Sequence, residues 1–362
     1  MNHLTRSHHF LLAIFIAVAV SEMLVSALEL DSNQRQCFGL SKGKHFVLGF
    51  TDNTEERSDT RELFILVVAF SNRQTSVTIS SKHPVEGKQF QETFEIDAGG
   101  FRRTSIPAEL IMDGDERSFK GIDVRASSEV SAYGLIYQDY TTDGFLGIPT
   151  NNLGMQYVVV TPTRGLLPSQ FAVVGTEDST SVQVALRGAV TFEGQTYHAG
   201  DLLRFVVSEL EAVHIQGSDT LQDLTGSVIQ ADKPVSVFSG NECVTEQLVP
   251  VKSWGKTHIY TASQGTDSNI YKLVAFMSET VVKIPGVEDQ SLEPGEFWEG
   301  SLLGSGLVSS NKPILMMQQL ASINGKTVDP SYIQVPAEEQ FGFIFGFTTP
   351  PHSGGDSSGY FN

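Results

Sequence analysis

Three stretches of the chain are versions of one hairpin, and this repeat limits the possible folds more than any other feature. They read "FILVVAFSNRQTSVTIS" from Phe64, "FAVVGTEDSTSVQVAL" from Phe171 and "YKLVAFMSETVVKIP" from Tyr271. In each, an aromatic residue opens an apolar run, a polar turn follows, and a threonine (Thr75, Thr180, Thr280) starts an alternating strand. The threonines lie 105 and 100 residues apart. Self-similarity at a fixed period marks a chain assembled from copies of one unit.

The register continues downstream. "FEIDAGGF", "YHAGDLLRF" and "LEPGEFW" place turn glycines at Gly99, Gly200 and Gly295. "GIDVRASSEVSAYG", "GSVIQADKPVSVFSG" and "GLVSSNKPILMMQQ" each read as a strand, a small polar turn and another strand. A glycine-aromatic strand occurs four times, as "KGKHFVLGF", "LGMQYVVVTP", "WGKTHIYTA" and "FGFIFGFTTP". The last copy either opens a further unit or completes a neighbour. Its alternating Phe341, Phe343, Phe345 and Phe347 share one strand face, and such a face is expected to be buried.

Short Val/Ile/Phe/Thr runs of period two, separated by Gly, Asp, Asn and Pro, predict an all-β protein. Each unit of about 100 residues holds enough strands for a tandem β-sandwich-like fold, with a β-propeller of two blades per unit as the alternative. The expected divisions are a leader (1–27), a lead-in (28–43), unit 1 (44–152), unit 2 (153–253), unit 3 with the extra terminal strand (254–349) and a disordered tail (350–362).

Basic residues up to Arg6, the apolar run "FLLAIFIAVAV" and the small-residue "MLVSA" follow the order of a cleaved secretory signal, with cleavage expected after Ala27. The run is too short to span a bilayer and no later stretch approaches a span. The expected location is extracellular. With Lys+Arg 24 against Asp+Glu 42, the net charge of -18 disfavours nucleic acid and anionic membranes. Cys37 and Cys243 both survive cleavage, and a single pair in an oxidising compartment is a disulfide candidate, within the chain or to another chain.

The stretch "DLTGSVIQADKPVSVFSGNEC" followed by "EQLVPVKSWG" resembles the N-terminal domain of the IgG Fc-binding protein family, as do "GLIYQDYTTDGFLGIPTNNLGMQYVVV" and "STSVQVAL". The likeness runs from about Lys44 to Phe347. Members commonly carry a second cysteine between the Ser-Gly and the Glu-Gln-Leu; here "NECVTEQL" has Cys243 alone, which favours a bridge to Cys37. The resemblance implies a secreted, non-enzymatic binding or adhesion module of mucus or body-fluid surfaces, with an extracellular protein or glycoprotein ligand. A scaffold segment of a mucus or matrix polymer, acting through self-association, is the alternative.

A secreted hydrolase is a further alternative, but the mature histidines, His45, His83, His198, His214, His258 and His352, stand in no catalytic sequence context. No nucleophile elbow, zinc spacing or phosphate loop occurs, and no cofactor is expected. "MDGDERS" clusters Asp113, Asp115 and Glu116 around a glycine, a weak calcium candidate that reads better as a solvated acidic turn. "YQDYTTDGF" offers a partner-binding loop through Tyr137, Asp139, Tyr140, Asp143 and Phe145. Trp254 and Trp298 read as structural.

Overall fold

The computed structural model describes residues 41–53, 61–85, 87–137, 142–162, 168–241, 243–263, 266, 268–323 and 326–341. The leader, Cys37, Asp139, Tyr140, the terminal strand beyond Phe341 and the tail lie outside them.

In chain order the first unit forms β1 (Gly43–Leu48), β2 (Glu62–Ala69), β3 (Thr75–Val85), β4 (Lys88–Ile96), β5 (Phe101–Ile106), β6 (Glu116–Ser118), β7 (Ile122–Tyr137) and β8 (Asp143–Leu146). The second forms β9 (Gly154–Val158), β10 (Ser169–Gly175), β11 (Thr180–Ala185), β12 (Val190–Phe192), β13 (Gln195–Tyr197), β14 (Leu202–Val207), β15 (Ala212–Gln216), β16 (Val228–Asn241) and β17 (Val244–Gln247). The third forms β18 (Gly255–Thr261), β19 (Ser268–Ala275), β20 (Thr280–Lys283), β21 (Gln290–Leu292), β22 (Phe297–Leu303), β23 (Ser305–Ile323) and β24 (Lys326–Gln334).

Each unit hangs on one long strand. β7 pairs with β1 and β3 along its first half and with β2 and β8 along its second. β16 does the same with β9 and β11, then β10 and β17; β23 with β18 and β20, then β19 and β24. The expected polar turn within this stretch is instead a bend in a continuous strand. Pairing with the opening strand shifts register there, between Gly43 and His45, between Gln230 and Val235, and between Gly255 and Thr257. Pro234 and Pro313 fall in the bulge, where a missing N–H costs no ladder bond. One main sheet per unit, each curled into a half-barrel, gives sandwich-like packing and excludes the propeller of paired four-stranded blades.

The repeat threonines open equivalent strands: Thr75 begins β3, Thr180 β11 and Thr280 β20, and all are fully buried. The Thr180 and Thr280 hydroxyls donate back to Glu177 O and Met277 O at 2.7 and 2.6 Å. The turn glycines align less simply. Thr75, Thr180 and Thr280 pair with Ile96, Val207 and Leu292, so the position of Gly99 and Gly295 is held in the second unit by Leu210. Gly200 belongs to the turn after an additional hairpin, β12 to β13, found in the second unit. Leu210 keeps the left-handed backbone of its glycine counterparts, φ 63 against 66 and 75, and therefore carries the strain of a side chain in that region.

The sheets stack. On β10, Phe171 and Val173 face the second unit's own core while Ala172 and Val174 join the core of the first, with Leu210, Ala212 and Phe238. On β19, Tyr271, Leu273 and Ala275 face inward while Val274, together with Phe276 just beyond the strand, packs on Val158, Val228 and Trp254. β6 of the first unit also adds an edge strand to the second sheet, pairing with β15. The first and second half-barrels are thus each covered by the outer face of the sheet that follows.

The repeat glycine that opens each unit lies against the 3-10 turn at that unit's end. A Cβ on Gly43, Gly154 or Gly255 would stand 2.3, 2.6 or 2.3 Å from the Cβ of Pro149, Pro250 or Ala337. Gly154→Ala must therefore displace the Val251–Ser253 turn and should cost roughly 1–3 kcal/mol in denaturant unfolding. Met155→Ala on the next, exposed residue should stay within about 0.5 kcal/mol of wild type. Equal effects would contradict the close-contact role.

Candidate functional site

Two clusters of buried polar groups lie at the junctions between units. At the first, Gln170 and His214 are fully buried on neighbouring strands of the second sheet, facing the first unit. Gln170 Nε2 donates to Asp52 O and Asn241 O, both at 2.9 Å. Its Oε1 accepts from Gln216 Nε2 at 3.1 Å, and Gln216 Nε2 also donates to Asp52 Oδ2 at 3.2 Å. His214 Nδ1 donates to Gly114 O at 2.5 Å, while Nε2 lies 3.1 Å from Gln170 Oε1. Burial, and secondarily the charge of Asp113, pushes the Asp52 carboxyl up to about 6. Burial drives the His214 imidazole down to about 4, against the pull of the Gly114 carbonyl and of Glu116 and Asp113.

The acidic turn is part of this junction. Asp115 accepts the Gln216 N–H at 3.1 Å, and Glu116 accepts the Asp113 N–H at 2.8 Å and pairs with Lys120 at 2.8 Å. Two of the three carboxylates that read as a calcium candidate, Asp115 and Glu116, are here engaged with protein donors. Among the described residues no group of three or more His, Cys, Asp or Glu is placed to hold a metal ion.

The second junction centres on Lys272, 2% exposed on the outer face of β19. Its Nζ lies 3.0 Å from Asp223 Oδ2, 3.3 Å from Glu299 Oε2 and 3.1 Å from Thr225 Oγ1, and 5.0 Å from the centre of the Phe297 ring. Burial alone would raise the Asp223 carboxyl, but Lys272 and the Thr225 hydrogen bonds bring it below the usual range. Two glutamines missed by sequence reasoning clasp the units: Gln247 Oε1 accepts the Ile148 N–H at 2.7 Å, and Gln334 Oε1 accepts the Val249 N–H at 2.9 Å. Each ends the last strand of its unit and is followed shortly by a proline, "QLVP" and "QVP", the one signal that could have exposed the pair. Nearby, burial and the charge of Asp143 hold Glu246 well above the usual carboxylate range.

The expected partner loop is pulled apart. Phe145 is 3% exposed, its ring 5.7 Å from Phe50 and 5.1 Å from Phe238, so it is a core residue of the first junction and not a surface anchor. The Asp143 carboxylate accepts the Thr245 N–H across the units. Tyr137 is half-buried at the end of β7, while Asp139 and Tyr140 lie outside the described residues. Cys243 sits half-buried in the turn from β16 to β17, its N–H donated to Asn241 Oδ1 at 2.9 Å. Its proposed bridge to Cys37 is decided by thiol titration of the unreduced, denatured protein; two reactive thiols would exclude it.

A carboxylate, imidazole and hydroxyl do come together in the first unit: Asp123 Oδ1 is 2.6 Å from His45 Nε2, and His45 Nδ1 is 3.1 Å from Thr150 Oγ1. Arg125 Nε holds the other Asp123 oxygen at 2.7 Å. These bonds tie β1 to β7 and to the closing turn, the same join that Gly43 and Pro149 make by contact. His258 occupies the position of Phe46 and Tyr157 in its own unit, buried, with Nδ1 3.0 Å from Val335 O.

The first junction gives a pH signature. The folded pKa of Asp52 lies above its unfolded value near 3.8, so its ionisation opposes folding, and stability is lost as pH rises through about 6. Asp52→Asn should match wild type near about pH 4 and gain up to about 3 kcal/mol above about pH 7, read by urea unfolding across pH. A gain independent of pH would contradict this assignment.

No helix among the described residues is long and apolar enough to cross a membrane. The IgGFc binding protein family pattern matches residues 143–361. The human IgGFc-binding protein is 28% identical over 313 residues, which cover 81% of this chain and 6% of the relative. The major pilin of Streptococcus pyogenes overlaps 80% of this chain and 96% of its own, at 7% identity and a TM-score of 0.11, too low to indicate a shared fold. With the family pattern covering more than half of the chain and the human relative aligning along 81% of it, this chain belongs to the IgGFc-binding protein family.

Proposed function

We propose that the chain is a secreted, non-enzymatic protein-binding module in which a stack of half-barrels presents loops and strand edges to an extracellular protein or glycoprotein. The observation that carries this reading is the use of the buried charged and polar groups: Asp52, His214, Asp223 and Lys272 all join units to one another. A structure spent on rigid stacking supports recognition by the surface it holds in place. Membership of a family named for binding, and a human relative named for the immunoglobulin Fc, make Fc the first ligand to test. The net charge of -18 favours a cationic partner surface and salt-sensitive association. The chain spans 6% of the length of that relative, which supports a place as one segment of a longer extracellular scaffold as the second reading.

The test is to immobilise the mature chain and pass Fc and Fab over it at low and high salt, alongside capture from mucosal secretions. The reading predicts saturable binding to Fc and not to Fab, weakened by salt, and at least about tenfold weaker for Tyr137→Ala at the remaining described position of the loop. No saturable binding to Fc, together with no protein captured from secretions, would overturn it.

A further inference from the structure

Each junction is made by the same pair of surfaces, and among the described residues one copy of each has no neighbouring sheet. The covering side uses a cross-strand pair between the opening and central strands. In the first unit this is Val47 opposite Asp123, 1% and 8% exposed; in the second it is Val158 opposite Val228, 1% and 4% exposed. Val158 and Val228 bury themselves on Val274 and Phe276 of the third unit, together with Trp254. The third unit has the same pair, Ile259 opposite Leu307, and it is 52% and 50% exposed. Leu303, at the end of β22 and four residues before Leu307, is 73% exposed. The residue before the repeat glycine behaves alike: Leu153 and Trp254 are 1% and 6% exposed, whereas Phe341 is 42% exposed. A large apolar patch therefore stands where the preceding units have a buried interface.

The complementary side is the outer face of a sheet. In the second unit it presents Ala172, Val174, Ala212 and Phe238 to the first; in the third, Val274, Phe297 and Met317 belong to the contact with the second. Strand register places Leu66, Val68, Phe101 and Tyr133 of the first unit at these positions. Leu66 and Val68 are 2% and 8% exposed and Tyr133 is half-buried, so the open part of this face is Phe101 on the edge strand β5, 59% exposed; among the described residues no sheet precedes it.

We propose that the Ile259 and Leu307 patch of one copy docks on the outer face of the first unit of a second copy, at Phe101, so that chains associate head to tail in continuation of their own internal stacking. The occupant follows from the interface already used twice within the chain: both halves of a third junction are present, in register, at opposite ends of one molecule. Two different surfaces meeting in this way make a heterologous contact, which propagates unless the rotation closes a ring. The inference goes beyond the ligand-binding reading and stands whether or not Fc binds.

Sedimentation velocity across a concentration series tests it with the full chain and two surface variants. Leu307→Glu removes the patch and Phe101→Glu the face; both residues are exposed, and near-UV circular dichroism with the thermal midpoint checks that each variant folds as wild type does. Wild type should form concentration-dependent oligomers, and each variant alone should be monomeric. An equal mixture of the two should form dimers and go no further, because one intact patch meets one intact face and both outer ends are blocked. A wild type that stays monomeric at its highest soluble concentration, variants that still associate, or a mixture that remains monomeric would each overturn the proposal.

Discussion

A single curled sheet has two faces and can bury only one of them against itself. The structure depends on how the other face is covered, and the answer at both junctions is the neighbouring unit. β10 is buried along its whole length because Phe171 and Val173 serve one core while Ala172 and Val174 serve another. β19 repeats the arrangement with Leu273 inward and Val274 outward. Strands covered on both faces read as continuous apolar runs instead of alternating ones, which is why "FAVV" and "KLVAF" stand out beside the strict alternation of "TSVQVA". Chain connection, packing and stability are therefore one problem: a unit removed from its neighbour exposes an apolar face.

The polar chemistry of the junctions follows from the same burial. Groups drawn out of water are tolerated only with partners, and the two junctions solve this differently. The first holds Asp52 and His214 by amides and backbone carbonyls and shifts both toward their neutral forms. The second retains charge, with Lys272 shared by Asp223 and Glu299. An ion pair of this kind adds little over an apolar contact, but a junction that mismatched it would leave a buried charge alone. Distinct polar pairings thus distinguish two otherwise similar apolar interfaces and fix which sheet follows which.

Much of this was legible in the sequence because a repeat reports its own periodicity. The threonines at 75, 180 and 280 and the glycines that open each unit fall on equivalent positions, since a turn and a close contact each demand a particular residue type. Gly200 misled because the second unit inserts a hairpin and lets Leu210 take the left-handed position. The polar middle of the central strand read as a turn because a bulge and a turn use the same residues. Phe145 read as a loop anchor because its partners, Phe50 and Phe238, are remote in the chain. Lys272 was invisible for the same reason: its charge partner Asp223 comes from the preceding unit, and nothing local marks it.

Native-state hydrogen exchange, resolved strand by strand, tests most directly whether the units depend on one another. If each sheet is stable only beneath its neighbour, amides of β10, β16, β19 and β23 should exchange through one shared opening with a common free energy and a common denaturant dependence. Lys272→Met, which strands Asp223 at the second junction, should lower the protection of the second and third units together. Exchange of the third unit through its own opening, at a much lower free energy and with no change in the second when Lys272 is replaced, would contradict the account.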